Sequence, residues 1–149
     1  MNTYPEYGAA QHATIRITNL RLRTFIGFNP DERVKPQDIV IQVAIRHRID
    51  AAAFHDRVDA ALNYKTITKA IIQHVEQGRF LLLERLVHDV LTICRADARV
   101  EHACVTIDKP HALRFADSVS VTLEYDKPSS LPVTEIHHDH ARRSTCYAS

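Results

Sequence analysis

An α+β fold, an antiparallel sheet carrying two helices on one face, is predicted by three features of the sequence. Strand-like alternation of apolar and polar residues appears early in the chain, at Ile39, Ile41, Val43 and Ile45 above all. It returns late in the chain, at Val119, Val121 and Leu123 against Ser120, Thr122 and Glu124. Between these regions, two stretches repeat their apolar residues at helical spacing. The expected order is strand, strand, helix, helix, strand, strand, which gives four strands in one domain. A chain of 149 residues can bury such a core without disulfide or metal support.

The elements follow in order. Residues 1–12 are polar and mixed and are expected to form a flexible lead. From Ala13 the residues Ile15, Ile17, Leu20, Leu22 and Phe25 predict one long strand, with a bulge near Asn19 and Gly27 closing it. Phe28 to Gln37 holds two prolines and four charges and is expected to be a loop. The second strand follows at residues 39–46. Asp50 to Leu62 is alanine-rich and should hold a short helical turn. Tyr64 opens a helix whose apolar face is Ile67, Ala70, Ile71, His74 and Val75, ended by Gly78. A second helix is expected from about Leu81 to Ala98, with Leu83, Leu86, Val87, Val90, Leu91 and Cys94 inward. Val100 to Asp108 and Ser118 to Tyr125 then close the domain as strands, making 13–126 its extent. Residues 127–149, with Pro128 and Pro132, are expected to be a disordered tail.

Composition excludes several classes. The formal net charge is +1, so no basic footprint points to nucleic acid. No apolar run approaches the roughly 18 residues needed to cross a membrane. Met1 to His12 lacks the apolar centre of a secretory signal. The three cysteines are odd in number and none forms a CxxC pair, which argues against a disulfide framework and for a cytoplasmic location. Cys94 and Cys104 both read as small core hydrophobes. No glycine-rich phosphate loop occurs. His137, His138 and His140 sit in the tail, with nothing rigid to hold them as zinc ligands. His47, His55, His74, His88, His102 and His111 are scattered at no ligand spacing, so no metal is expected.

Three residues combine reactive chemistry with a defined place. Lys109 ends a predicted strand before Pro110, which restricts its backbone. Glu84 opens a helix, where a carboxylate is favoured by the dipole. Tyr64 begins the other helix. Taken singly, each has an ordinary structural explanation: a solvated lysine, a dipole partner, a helix-entry staple.

Their flanking residues add more. Ile17 to Gly27, Gln37 to Ile41, Ala61 to Tyr64, Gln73 to Glu76, Arg79 to Glu84 and Ile107 to Ser120 resemble, in order and spacing, the dihydroneopterin aldolase/epimerase family. The resemblance covers about Ala13 to Tyr125 and leaves out the tail. It implies the tunnelling fold, in which four-stranded sheets join edge to edge into tetrameric barrels and two rings commonly stack into a homo-octamer. Sites then lie between subunits. It further implies that Glu84 anchors the pterin, with Leu83 beside it, and that Lys109 is the acid–base residue. Tyr64 would relay a proton across the interface, and Glu32 would approach Lys109 from the loop.

The implied chemistry needs no cofactor. The C6–N5 imine of a dihydropterin accepts the electrons of the breaking C1'–C2' bond once the 2'-hydroxyl proton is removed. A lysine in a desolvated site suits that transfer. Protonation of the resulting enamine gives an aldolase, which serves folate synthesis. Re-addition of the aldehyde with its face turned gives a 2'-epimerase. His111 to Arg114 and Ala116 to Val119 resemble the branch that epimerises dihydroneopterin triphosphate, as do Asn63 to Thr66, whereas Pro110 is aldolase-like. Arg114, Lys65 and His111 are candidates to grip the triphosphate. The alternatives are an aldolase, a ring protein that binds pterin or purine without turnover, and a metal-dependent relative.

Overall fold

The computed structural model describes residues 11–129. The expectations for the lead before Gln11 and for the tail histidines lie outside the described residues. β1 (Gln11–Ile26) and β2 (Gln37–Ile49) form a long antiparallel pair, joined through a short helix α1 (Pro30–Val34). Two 3-10 turns (Ala51–His55 and Val58–Ala60) lead to α2 (Tyr64–Gln77). β3 (Arg79–Phe80), α3 (Leu83–Cys94), β4 (Val100–Pro110) and β5 (Ser118–Asp126) complete the domain.

The architecture is α+β, with the helices packed on a curled sheet ordered β3-β1-β2-β4-β5. The sheet therefore has five strands where the sequence predicts four. The extra one, β3, pairs parallel to the end of β1 through Phe25↔Arg79 and Ile26↔Phe80. Gly27 also donates its N–H to the Phe80 carbonyl at 2.9 Å. A two-residue strand is too short to carry alternation, so periodicity cannot reveal it.

The bulge near Asn19 is present as a register shift between Ile17 and Leu20. Asn19 sits at φ 55, a conformation that asparagine tolerates better than most residues. Gln42 clips it from the neighbouring strand: its Oε1 accepts from the Asn19 N–H at 2.9 Å, and its Nε2 donates to Asn19 Oδ1 at 2.5 Å.

The core lies between the sheet and the two long helices. β2 contributes Ile39, Ile41, Val43 and Ile45, α2 Ile71 and Val75, and β4 Ala103, Val105 and Ile107. α3 buries Leu86, Val87, Val90, Leu91 and Cys94, and each aliphatic side chain among these gains about 1.5–3 kcal/mol by leaving water. Cys104 is an exception to the sequence reading. It is buried but points away from the helices, with its Sγ 3.7 Å from Glu124 Oε1. The weak alternation of β4 also has a cause, since residues 103–107 are buried on both faces of this central strand.

Helix ends differ as well. α3 spans Leu83–Cys94 rather than Leu81 to Ala98. Leu82 is extended at φ −117 and offers no side-chain cap, and Leu81 and Leu82 stay exposed. Beyond Cys94 the chain is drawn off the helix by Asp97, which accepts from Arg99 Nε at 3.0 Å and Nη2 at 2.9 Å. The loop at 28–37 contains α1, which begins with Pro30 and has Asp31 and Glu32 in its first turn, both favourable there.

Candidate active site

Lys109 lies near the end of β4, and its ammonium is bonded to the carboxylate of Glu32 on α1. Both side chains are largely covered, at 13% and 16% exposure. Glu32 is held from two further sides. The Asn29 backbone N–H donates to its Oε1 at 3.4 Å. Its carboxylate also rests where a Cβ on Gly27 would stand. Gly27 itself has φ +123, a region closed to L side chains, so glycine is required there twice over. The hydrogen bond from Lys109 is the main cause that draws the Glu32 pKa below its ordinary value, outweighing the opposing effect of burial. Glu32 is thus ionised against Lys109. The sequence reading named this pair, but not the glycine seat that permits it.

Strand and helix directions settle which other residues share this end of the molecule. β4 runs from Val100 to Pro110, so Lys109 lies at the end of the sheet where β1 ends. α3 starts directly after β3, which puts Leu83 and Glu84 at this same end. Glu84 is solvent-exposed in the first turn of α3. Tyr64 is elsewhere. It begins α2, whose far part contacts the middle of α3 through His74 Nε2 and Asp89 Oδ2 at 2.9 Å. The ten residues of helix between Tyr64 and His74 carry it about 15 Å from that contact. Arg99 Nη1 donates to the Ala60 carbonyl at 3.0 Å, so the start of α2 is fixed near the beginning of β4. One chain therefore brings Glu32, Lys109, Leu83 and Glu84 to one end and leaves Tyr64 and Lys65 at the other. Tyr64 is 54% exposed there.

The turn after Lys109 holds the remaining candidates. His111 has φ 65, a left-handed backbone on a non-glycine residue. Arg114 stacks over Phe115 with its guanidinium carbon 5.6 Å from the ring centroid. Phe115 is 96% exposed.

Two clefts flank this end. One, of about 800 Å³, lies between the end of α2 and the start of α3, and includes Arg79, Phe80, Leu81 and Leu82. On its wall, Asp89 gathers His74, Arg85 at 3.0 Å and His88 at 3.4 Å, and these bonds hold its pKa low despite burial. The other, of about 560 Å³, includes Arg21, Arg23, Pro110 and His111. Neither group of residues stood out in the sequence as a unit. Among the described residues, no three His, Cys, Asp or Glu side chains converge to hold a metal.

Comparison with known proteins identifies the family. The family model described as FolB, dihydroneopterin aldolase, matches residues 15–124. The chain is 56% identical over 115 residues to dihydroneopterin triphosphate 2'-epimerase of Escherichia coli, covering 77% of this chain and 96% of that one. It is 50% identical over 111 residues to the Pseudomonas aeruginosa protein of the same name, covering 74% and 90%. The crystal structure of Escherichia coli dihydroneopterin aldolase with neopterin superposes with a TM-score of 0.71 at 28% identity, over 76% of this chain and 98% of that one. The chain belongs to the dihydroneopterin aldolase (FolB) family.

Proposed function

We propose that this protein is a dihydroneopterin triphosphate 2'-epimerase, which inverts C2' of the pterin side chain by retro-aldol cleavage and re-addition. The observation that carries the reading is the ion pair of Lys109 with Glu32, set at the same end of the sheet as Glu84. The identities of 56% and 50% to epimerases, against 28% to an aldolase, favour the epimerase outcome.

Each residue then has a task. Glu84 accepts two parallel hydrogen bonds from the 2-amino group and N3–H of the pterin. Leu83 packs beside the ring. The Lys109 ammonium gives a proton toward N5, directly or through water, and the amine left behind takes the 2'-hydroxyl proton, while Glu32 holds the Lys109 nitrogen in place. The C1'–C2' bond breaks, its electrons move through C6 to N5, and N5 gains a proton. The aldehyde half, still carrying its triphosphate, turns over and re-forms the bond on its other face. Tyr64, supplied by a neighbouring subunit, relays the proton. No bound cofactor takes part, because the dihydropterin is the electron sink.

The site reading goes with a ring assembly. β1 is 16 residues long, yet β3 covers only its last two, and β5 has no outer neighbour among the described residues. Pairing β1 of one copy with β5 of the next removes both open edges and closes a barrel. The assembly we propose is a tetrameric ring, two of which stack into an octamer, in the cytoplasm.

Incubation with dihydroneopterin triphosphate, followed by dephosphorylation and chromatography of the pterins, tests the activity. Dihydromonapterin is the expected product. Dominant 6-hydroxymethyl-dihydropterin with released aldehyde would make the protein an aldolase, and unchanged substrate would make it a binding protein.

A further inference from the structure

We propose that the cleft lined by Arg21, Arg23 and His111 is the subsite that holds the phosphate chain of the substrate. The inference rests on the epimerase reading and adds to it the residues that would keep the cleaved aldehyde in place. Its direction comes from the two ends of the pterin. Glu84 takes the edge bearing the 2-amino group and N3. The side chain leaves from C6, on the opposite edge, and its 2'-hydroxyl must meet Lys109. Whatever is attached at the 3' oxygen therefore lies beyond Lys109 as seen from Glu84. The 560 Å³ cleft has Pro110 and His111, the two residues after Lys109, in its wall, and no residue of α3. The larger cleft abuts the start of α3 and lies on the pterin side.

The side chains suit a polyanion. Arg23 is aimed by Asp38, whose Oδ1 is 3.1 Å from its Nε, and its Nη2 donates to the Pro36 carbonyl at 3.1 Å. Arg21 has no hydrogen-bond or ionic partner among the described residues, so its fork of N–H donors is free. Glu76 is the lining's one carboxylate without a cation beside it. His111 supplies a separate observation. It too lacks a partner, and it occupies a left-handed conformation that glycine would adopt without strain. Strained backbone that places a polar side chain at the mouth of a cleft beside a reactive group is a mark of function. The imidazole is positioned to meet the phosphate nearest the 3' oxygen.

Lys65 and Arg114, the other candidates from the sequence, are not in this cleft. Lys65 is the second residue of α2, at the other end of the molecule, and would reach a site only with Tyr64 from a neighbouring subunit, and Arg114 is stacked on Phe115.

The test uses the full chain and two readouts. The first is KM for dihydroneopterin triphosphate against KM for dihydroneopterin. Arg21→Ala and His111→Gly should each raise the first at least about tenfold more than the second, as expected for losing a charge-assisted hydrogen bond. Far-ultraviolet circular dichroism should show both variants folded, with His111→Gly melting no lower than the parent. The second readout is calorimetric binding of inorganic tripolyphosphate, which needs no turnover and should weaken in both variants. Equal KM changes for the two substrates, or tripolyphosphate binding that ignores Arg21→Ala, would overturn the subsite. So would a selective effect from Arg85→Ala, since that residue lines the other cleft. Tripolyphosphate binding through Arg21 without any pterin turnover would uphold the subsite and refute the epimerase reading, so the two failures are distinct.

Discussion

Lys109 and Glu32 are 77 residues apart, and neither carries a mark of its own in the sequence. A strand-end lysine and a loop glutamate are ordinary surface residues until the chain brings them together. Their pairing was legible only through the collinear family segments. Physical reading alone supplied Pro110, which fixes the lysine's backbone, and nothing for its partner. Lys109→Ala should lower turnover by about 10²–10⁴-fold, the range for loss of a positioned acid–base group, and Glu32→Gln by at least about tenfold, in a steady-state assay of C2' inversion. Since the Glu32 pKa is lowered by folding, its ion pair adds stability that is full above the ordinary carboxylate value of 4.5 and is lost as pH falls through the folded value. The acid limb of a melting-temperature profile should therefore flatten in Glu32→Gln. Gly27→Ala tests the seat beneath the carboxylate. It forces an L residue to φ +123 and sets a methyl group against Glu32. A loss of about 1–3 kcal/mol in denaturant unfolding is expected, with turnover falling alongside it. Unchanged turnover would show that the seat has no part in placing Glu32.

Elements were easier to read than residues, where periodicity had room to act. β2, β5 and α2 carry clean alternation or helical stripes, and α2 is bounded by Asn63, whose side chain accepts from the Lys65 and Thr66 N–H groups, and by Gly78. β3 and α1 were missed, because elements of two and five residues fall below any period. The start of α3 was placed too early because Leu81 and Leu82 extend its apolar run but remain extended and exposed. One buried hydrogen bond ties two elements near the site. Thr24 Oγ1 on β1 donates to the Val75 carbonyl in the last turn of α2 at 2.6 Å. Thr24→Val keeps the shape and loses this bond, so unfolding free energy should drop by about 1 kcal/mol. At the other end of the sheet, Arg99 holds the Asp97 carboxylate at a pKa of about 2 and also bonds Ala60. Its stabilising effect is present above about pH 4 and fades as pH falls toward 2, and exposure of about a third of both side chains limits its size.

At the scale of the whole molecule, the proposed site needs more than one copy of the chain. Its helices turn one sheet face into a core, while most of the β1 edge and the outer edge of β5 have no neighbouring strand among the described residues. Four of the proposed site residues lie at one end and Tyr64 at the other, because α2 and α3 run in opposite directions across the sheet. The sequence named Tyr64 without showing that it stands apart, since distance across a fold has no local signature. The central claim is that inversion at C2' needs Lys109 from one copy and Tyr64 from another. Mixed oligomers of Lys109→Ala and Tyr64→Phe chains test it most directly, with C2' inversion of dihydroneopterin triphosphate as the readout. Each variant alone should be nearly inactive, and their co-assembly should restore a substantial fraction of turnover, because some interfaces then combine both intact residues. Mixed oligomers that form but stay as inactive as the separate variants would contradict the shared site.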